Sequence, residues 1–397
     1  MARAIACSAY RDALRLFTKG LDASRRIDDT PGRLASELSL RMKVLGAQLP
    51  LGQTDDIVTN LERAEAITQE LGDTRRQAGV LLQLAVVLWI SGSYRHGLEV
   101  ASRAADTAAT AGSPSVRMAA MQARLLLHHA LGLYDQVVFI ARQIEREFGN
   151  DQGMRQIMPG WAVVANVNLR TFLADVLWRM GRLDEAQAAC DEAYRQLASQ
   201  DHAFSRVLVD FVQAEVWMAQ DRFTESRHLL RSTLISCQSN DLTSMLPPVL
   251  AILAGCMAAC GQPAEAVTLL EDAIEGKLPD TGGRYNAYYF PKYLAIALAR
   301  SNRLDEAVTA AQQARAAAAN FEQAGHEAEA LVILAEIEAD AGRLRDAHAH
   351  FDEALSLVRS RGIVVLERRC ETGLERTAVL ERHLAHTHHF HGNDDGE

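Results

Sequence analysis

The chain holds residues of the kinds that do chemistry, but their spacing matches no known reaction pattern. Cys256 and Cys260 stand four apart, which would place half a metal site on one helix face. No second ligand pair at a suitable spacing accompanies them, and free cysteine buries readily as a small hydrophobe. His326-Glu327-Ala328-Glu329-Ala330 begins like a zinc-protease helix but ends on alanine where the second histidine is required. His386, His388, His389 and His391 crowd the C-terminal tail, where zinc or nickel would bind adventitiously. The chain has no G-x-x-x-x-G-K-[ST] phosphate loop, no G-x-G-x-x-G turn after a strand and no G-x-S-x-G elbow. No catalytic residue, cofactor or metal is expected, and the chain reads as a non-enzyme.

Any binding residues must be positioned by an element that recurs along the chain. Gly181-Arg182-Leu183-Asp184-Glu185-Ala186 has counterparts at Asn302 to Ala307, Gly342 to Ala347, Asp221 to Ser226, Gly261 to Ala266, Gly132 to Val137, Gly92 to Gly97, Gly52 to Ile57 and Ser8 to Ala13. The leading positions are 8, 52, 92, 132, 181, 221, 261, 302 and 342, so the steps are 44, 40, 40, 49, 40, 40, 41 and 40. Glycine at the lead ends a helix in the left-handed conformation. An aromatic or aliphatic anchor follows two residues later, as at Tyr94, Tyr134, Leu183, Phe223, Leu304 and Leu344. Small residues follow at five and twelve, such as Ala186 and Ala193, or Ala307 and Ala314. That spacing puts them on one face of the second helix, where two helices can approach closely. A fixed period in this range means stacked helical hairpins.

The small-x-x-aromatic-x-x-Ala pattern resembles the tetratricopeptide repeat. The family's usual unit is about 34 residues; six more lengthen its two helices by roughly one turn in each. Long units of this kind are similar to the C-terminal arrays of bacterial cyclase- and ATPase-type signalling proteins and large transcriptional activators. The stretch from Leu49-Pro50-Leu51-Gly52 to Leu71-Gly72-Asp73 carries the likeness to the cyclase-linked arrays. The resemblance covers about residues 1–360. It implies an all-α, right-handed superhelical solenoid of antiparallel hairpins, with a concave groove lined by the first helix of each hairpin. Groove positions counted back from the hinges include Met42, Trp89 and His129, then Asn168, Asp175, Trp178, Arg179, Phe211 and Glu215, then Tyr289, Lys292 and Glu329. Aromatics mixed with both charge signs suit a peptide or protein partner. Trp89 and Trp178 fit equally well as core residues between helices, and Asp175 and Arg179, four apart, are also placed to pair with each other. Some family members clamp a terminal carboxylate with lysines and asparagines. Here only Lys292 is so placed, and Ile296 stands where asparagine would be wanted.

Composition sets outer bounds. With 41 basic and 51 acidic residues the net charge is −10, which argues against a nucleic-acid partner and against anionic membrane surfaces. The six cysteines are scattered and imply no disulfide framework. Met1 to Ala6 has no signal-sequence pattern. The apolar run Met245 to Cys260 is short for a membrane span and sits in the repeat register, as a buried first helix. A cytoplasmic protein is expected.

The expected organisation is a partial first repeat over 1–29, repeats over 30–148, an inserted loop over 149–160, repeats over 161–363, a capping helix over 364–384 and a disordered histidine-rich tail over 385–397. The chain starts about halfway through the first helix of a hairpin, as expected of a fragment of a longer protein, the alternative being a short capping helix. Tyr285, Tyr288, Tyr289 and Phe290 concentrate aromatics after a glycine-rich link and suit packing or a binding surface. The expected function is protein interaction or ligand sensing, as the regulatory arm of a larger bacterial signalling protein with an upstream effector domain. The alternative is a free-standing adaptor holding a peptide or folded partner in its groove.

Overall fold

The computed structural model describes residues 1–7, 9–48, 51, 53–149, 152–156, 163–198, 201–275 and 286–391. Its regular structure among those residues is helical, with nineteen α-helices and one short 3₁₀ turn, Gln152–Arg155. That turn lies inside the expected inserted loop. Residues 150–151 and 157–160 of that loop, the link at 276–285, the hinge positions Ser8 and Gly52 and the end of the tail at 392–397 lie outside the described residues.

The other seven hinges all have left-handed backbone. Gly92, Gly132, Gly181, Gly261 and Gly342 have φ between 70° and 84°, and Asp221 and Asn302 have φ of 59° and 60°. At Gly181 the amide of Gly181 donates to the carbonyl of Trp178 (2.9 Å) and that of Arg182 to Leu177 (2.8 Å). These bonds satisfy carbonyls that the helix end would leave open. The small residues after each hinge are buried as their spacing requires. Ala186, Ala193, Ala266, Ala307, Ala347 and Ala354 have no exposed surface.

The chain divides into two compact units, Met1–Leu127 with Arg142–Trp161, and His128–Ala141 with Ala162–Glu397. The first is built from α1 (Ala2–Ala6), α2 (Tyr10–Ser24), α3 (Thr30–Gln48), α4 (Thr54–Glu70), α5 (Thr74–Ile90), α6 (Tyr94–Thr110), and most of α7 (Pro114–Ala130), with the second half of α8 (Tyr134–Phe148). Asp73 caps α5 by accepting the Arg76 amide at 2.9 Å. Gly97 on α6 leaves room for Leu127, whose Cδ2 lies 2.7 Å from where a Cβ would stand. Arg103 of α6 pairs with Glu65 of α4, one repeat earlier.

The second unit contains the α7–α8 turn and five further hairpins: α9 (Ala165–Arg179) with α10 (Leu183–Leu197), α11 (Ala203–Ala219) with α12 (Phe223–Ser239), α13 (Leu246–Ala259) with α14 (Pro263–Glu275), α15 (Tyr289–Arg300) with α16 (Leu304–Ala319), and α17 (Ala324–Asp340) with α18 (Leu344–Arg361). The last helix, α19, runs Val364–His391 and so continues past residue 384, where the capping helix was expected to stop. Sequence separates the two helices of a hairpin. Second helices bury one stripe; α10 hides Ala186, Ala189, Cys190, Ala193 and Leu197, an i, i+3, i+4, i+7 series. First helices of this unit are buried on most sides, polar residues included. The run expected to be a buried helix rather than a membrane span forms α13, with proline in its first turn and almost every later side chain buried. No described helix is long and apolar enough to cross a membrane. Arg303–Glu271 (3.2 Å), Arg376–Asp340 (2.8 Å), Arg343–Asp305 and Arg315–Glu353 join successive hairpins at roughly one-repeat separations. Such exposed pairs contribute about 0–1 kcal/mol each, so they select the stacking register more than they stabilise it.

First helices pack in series within this unit: α9 on α11, α11 on α13, α13 on α15, α15 on α17, and α17 on α19. α19 then touches α9. Two glycine contacts seal the return. A Cβ on Gly132 would lie 2.8 Å from the Gly325 backbone nitrogen, and one on Gly325 would lie 2.1 Å from the Tyr134 hydroxyl. The inner helices therefore form a closed ring, and the side chains pointing inward become a core.

Candidate functional site

Nine of the ten residues singled out from the sequence belong to the second unit. The tenth, Trp89, is half-buried on α5 of the first. The sequence leads one to expect an open groove at these nine positions. Ring closure instead buries His129, Asn168, Asp175, Arg179, Phe211, Glu215, Tyr289 and Lys292, and leaves only Trp178 half-buried.

Asp175 is the first centre of this core. The indole Nε1 of Trp178 donates to its Oδ1 at 2.8 Å, Arg179 Nε reaches its two oxygens at 3.2 and 3.3 Å, and His129 Nε2 contacts Oδ2. The i, i+3 and i, i+4 spacing along α9 brings Trp178 and Arg179 onto the face of Asp175, and the Arg179 guanidinium stacks 4.4 Å from the Trp178 ring centre. Burial pushes the Asp175 carboxyl toward the neutral form. Arg179 and His129 overcome that and hold it well below the usual carboxylate range.

Glu329 on α17 is the second centre. Arg179 Nη1 donates to its Oε2 at 3.2 Å, the Tyr288 hydroxyl donates to the same oxygen at 2.7 Å, and Lys292 Nζ lies 2.7 Å from Oε1. Here too burial opposes ionisation, and Lys292 and Arg179 hold the carboxylate charged. The Lys292 ammonium lies 5.3, 5.7 and 4.6 Å from the ring centres of Tyr288, Tyr289 and Tyr293, so three aromatic faces cage it. Tyr288 stacks on His326 at 4.5 Å, and Tyr289 meets Phe211 edge-on at 5.3 Å. His326 is driven well below its ordinary pKa, first by burial and then by Arg179.

Glu215 on α11 is the poorly satisfied member. Its Oε1 stands 3.8 Å from Arg179 Nη2, too far for a hydrogen bond. Both of its oxygens and that Nη2 are buried with no hydrogen-bond partner among the described residues. Burial, with Asp175 and Glu329 nearby, raises its pKa to about 8, so Glu215 is mostly protonated at neutral pH. Glu215 then adds no negative charge to the Asp175 and Glu329 carboxylates that face Arg179 and Lys292.

Sequence spacing identified α9's polar face, Phe211, Glu215, Tyr289, Lys292 and Glu329. It did not connect His326 or Tyr134 to them. His326 stood out only as part of a failed zinc pattern, and Tyr134 only as a repeat anchor. The only local signal was glycine at 325, inside a helical stretch where no turn explains it. Cys256 is buried on α13 and Cys260 half-buried at its end, and both are free thiols. Among the described residues no group of three or more His, Cys, Asp or Glu side chains is arranged to hold a metal.

Residues 167–192 and 247–272, which span α9–α10 and α13–α14, match the tetratricopeptide repeat profile. No curated protein matches the sequence. Several solved structures are similar to this one. A Rap protein complexed with Competence and Sporulation Factor is 13% identical, with a TM-score of 0.54 over 77% of this chain and 89% of that one. The APC/C hetero-tetramer Cut9-Hcn1 is 13% identical, with a TM-score of 0.52 over 90% of this chain and 58% of that one. A signal transduction ATPase with a tetratricopeptide repeat sensor from Pyrococcus horikoshii is 11% identical, with a TM-score of 0.49 over 90% of this chain and 51% of that one. The two profile matches, with the repeated hinges, the buried small positions and the stacked hairpins, support an array of tetratricopeptide-type repeats.

Proposed function

We propose that this repeat array is a recognition scaffold for a protein or peptide partner, serving as the cytoplasmic regulatory arm of a longer bacterial signalling protein and doing no chemistry itself. The observation that carries the reading is the ionic core of the second unit. A ring of helices needs only apolar side chains at its centre, and replacing a buried ion network with well-packed apolar residues is often neutral or stabilising by about 1–4 kcal/mol. This chain instead brings Asp175, Arg179, Glu215, Lys292 and Glu329 together from four helices and leaves Arg179 and Glu215 short of hydrogen bonds. Such groups can exchange partners with a ligand's charged groups. A ligand that binds the open and closed arrangements unequally shifts the balance between them. The shared fold of the Rap protein complexed with Competence and Sporulation Factor supports a protein or peptide as that ligand.

The test is to capture the native protein from its source cells, weigh the intact chain, and titrate the partner that co-purifies with it against Trp178→Ala and Arg179→Ala. A mass well above 43.6 kDa and at least tenfold weaker binding by both folded variants are the expected results. A mass of 43.6 kDa moves the reading to a free-standing adaptor. Unchanged affinity in both variants removes this core from partner recognition.

A further inference from the structure

Arg179 serves two sides of the ring at once. On its own helix it holds Asp175 through Nε, at 3.2 and 3.3 Å. Its Nη1 reaches across the closing seam to Glu329 on α17, 150 residues away, at 3.2 Å. Its Nη2 faces Glu215 on the neighbouring helix α11 at 3.8 Å and has no hydrogen-bond partner among the described residues. Charged N–H···O bonds normally close to about 2.7–2.9 Å, so each of these bonds is long. The side chain is buried, and bulk water does not make up the shortfall.

Around Arg179 the seam is closed by steric contacts. Gly132 meets the backbone of Gly325 beside Tyr134, and Val364 and Val365 of α19 pack 3.7–3.9 Å from where a Cβ on the Gly181 hinge would stand. Glu329 has two further partners, Lys292 on α15 and Tyr288 at its start. Both stand on its own side of the seam, whereas Asp175 is held by His129 of α7 on the other. Loss of the Arg179–Glu329 bond therefore frees α9 from α17 and leaves α15 with α17.

We propose that Arg179 is a latch on this ring: it holds α17 through Glu329 while Glu215 carries its proton, and it swings to Glu215 and releases α17 when that proton leaves. A shift of about 1 Å turns the 3.8 Å approach into a charged hydrogen bond of about 2.8 Å, and it carries Nη1 beyond hydrogen-bond range of Glu329. Ionisation also sets a new negative charge against Asp175 and Glu329, which pushes α17 from α11 as Arg179 lets it go. The groups facing Glu215 are Asp175 and Arg179 of α9, Tyr134 of α8, Cys256 of α13, Lys292 and Tyr293 of α15 and Glu329 of α17. Burial keeps Tyr134, Tyr293 and Cys256 protonated well above the pH at which Glu215 ionises, and Asp175 and Glu329 are ionised well below it. The inference rests on the reading of this core as the place where open and closed arrangements are decided, and it names a proton as one of the ligands that decide between them.

Hydrogen–deuterium exchange of the full chain, read peptide by peptide between pH 6.5 and 9 and corrected for the intrinsic pH dependence of exchange, tests the latch without any partner. In the wild type the seam peptides over 129–140 and 322–332 should lose at least tenfold of their protection across that range, while α16 keeps its own. Glu215→Gln should hold the seam protected at pH 9. Glu215→Leu, also uncharged, serves if glutamine disturbs the fold. Glu329→Gln, which removes the charge that Arg179 holds across the seam, should leave the seam unprotected at pH 6.5 with α16 still protected. Seam protection that does not change with pH in the wild type, or that falls equally in Glu215→Gln, overturns the latch. Loss of protection in α16 together with the seam overturns it as well, because that is global unfolding. None of these outcomes depends on the partner affinity of Trp178→Ala or Arg179→Ala, so the latch and the reading of partner recognition fail separately.

Discussion

Glu215→Gln should make the protein more stable in mild alkali and flatten its pH profile. Glu215 is enclosed by Asp175 and Arg179 of α9, Tyr134 of α8, Cys256 of α13, Lys292 and Tyr293 of α15 and Glu329 of α17. Folded Glu215 keeps its proton up to about pH 8, whereas its ordinary value is 4.5. Between those values the folded state binds more protons than the unfolded one, so stability falls as pH rises. The protonated group's contribution is fully present below about 4.5 and gone above about 8. At about 1.4 kcal/mol for each pH unit between the two values, the loss amounts to roughly 5 kcal/mol. For a unit of this size that corresponds to about 10–20 °C in melting temperature. Glutamine is neutral throughout and offers two N–H donors to the Asp175 and Glu329 side of the core. Thermal unfolding of wild type and variant from pH 5 to 9 measures the effect, because the difference between the two curves isolates this residue. The curves should run close together near pH 5 and separate steadily above pH 6, with the variant higher. If the variant is less stable at every pH and keeps the wild-type slope, Glu215 is an ionised partner of Arg179 and the reasoning fails.

Two other predictions test the ring and its thiols. Gly325→Ala forces a methyl group against the buried Tyr134 hydroxyl, 2.1 Å from the ideal Cβ position, and should destabilise by about 1–3 kcal/mol as overpacking does, seen as a lower denaturant midpoint; an unchanged midpoint would show that Tyr134 moves aside freely. Burial pushes the Cys190 and Cys256 thiols up to about 12 and those of Cys237 and Cys370 up to about 11, so a disulfide reagent at pH 8 should modify exposed Cys7 promptly and these four only after denaturation; rapid titration of more than two thiols in the native protein would contradict their placement.

The hinges were legible because their cause is local. A left-handed residue, an anchor and two small residues are fixed by the geometry of one helical corner, and the described corners from Gly92 to Gly342 adopt it. Aspartate and asparagine at 221 and 302 fit the rule because they tolerate the conformation better than other side chains. The polar face of α9 was legible for the same reason, since Asp175, Trp178 and Arg179 lie within one turn. Ring closure was not. It depends on Gly132 and Gly325 meeting across 193 residues and on Arg179 reaching Glu329 across 150. Small rotations repeated at each hairpin decide whether a stack opens into a groove or returns on itself, and no single spacing records their sum. The tyrosines at 288 and 289 left packing and binding both open. Their rings are buried against Lys292, His326 and Phe211, as packing requires.

A linear stack of repeats behaves like a chain of dominoes, in which each unit holds only its neighbours and copies can be gained or lost at little risk. Contact between α19 and α9 removes that freedom from the second unit. Its hairpins are staves of a hoop, and the hoop closes for one number of staves only. Duplicating or deleting a single 40-residue unit there would misalign Gly132 with Gly325 and pull Arg179 away from Glu329. Loss of α19 would loosen α9, almost two hundred residues earlier. In this half of the chain, descent can vary side chains and loops while the count of repeats stays fixed.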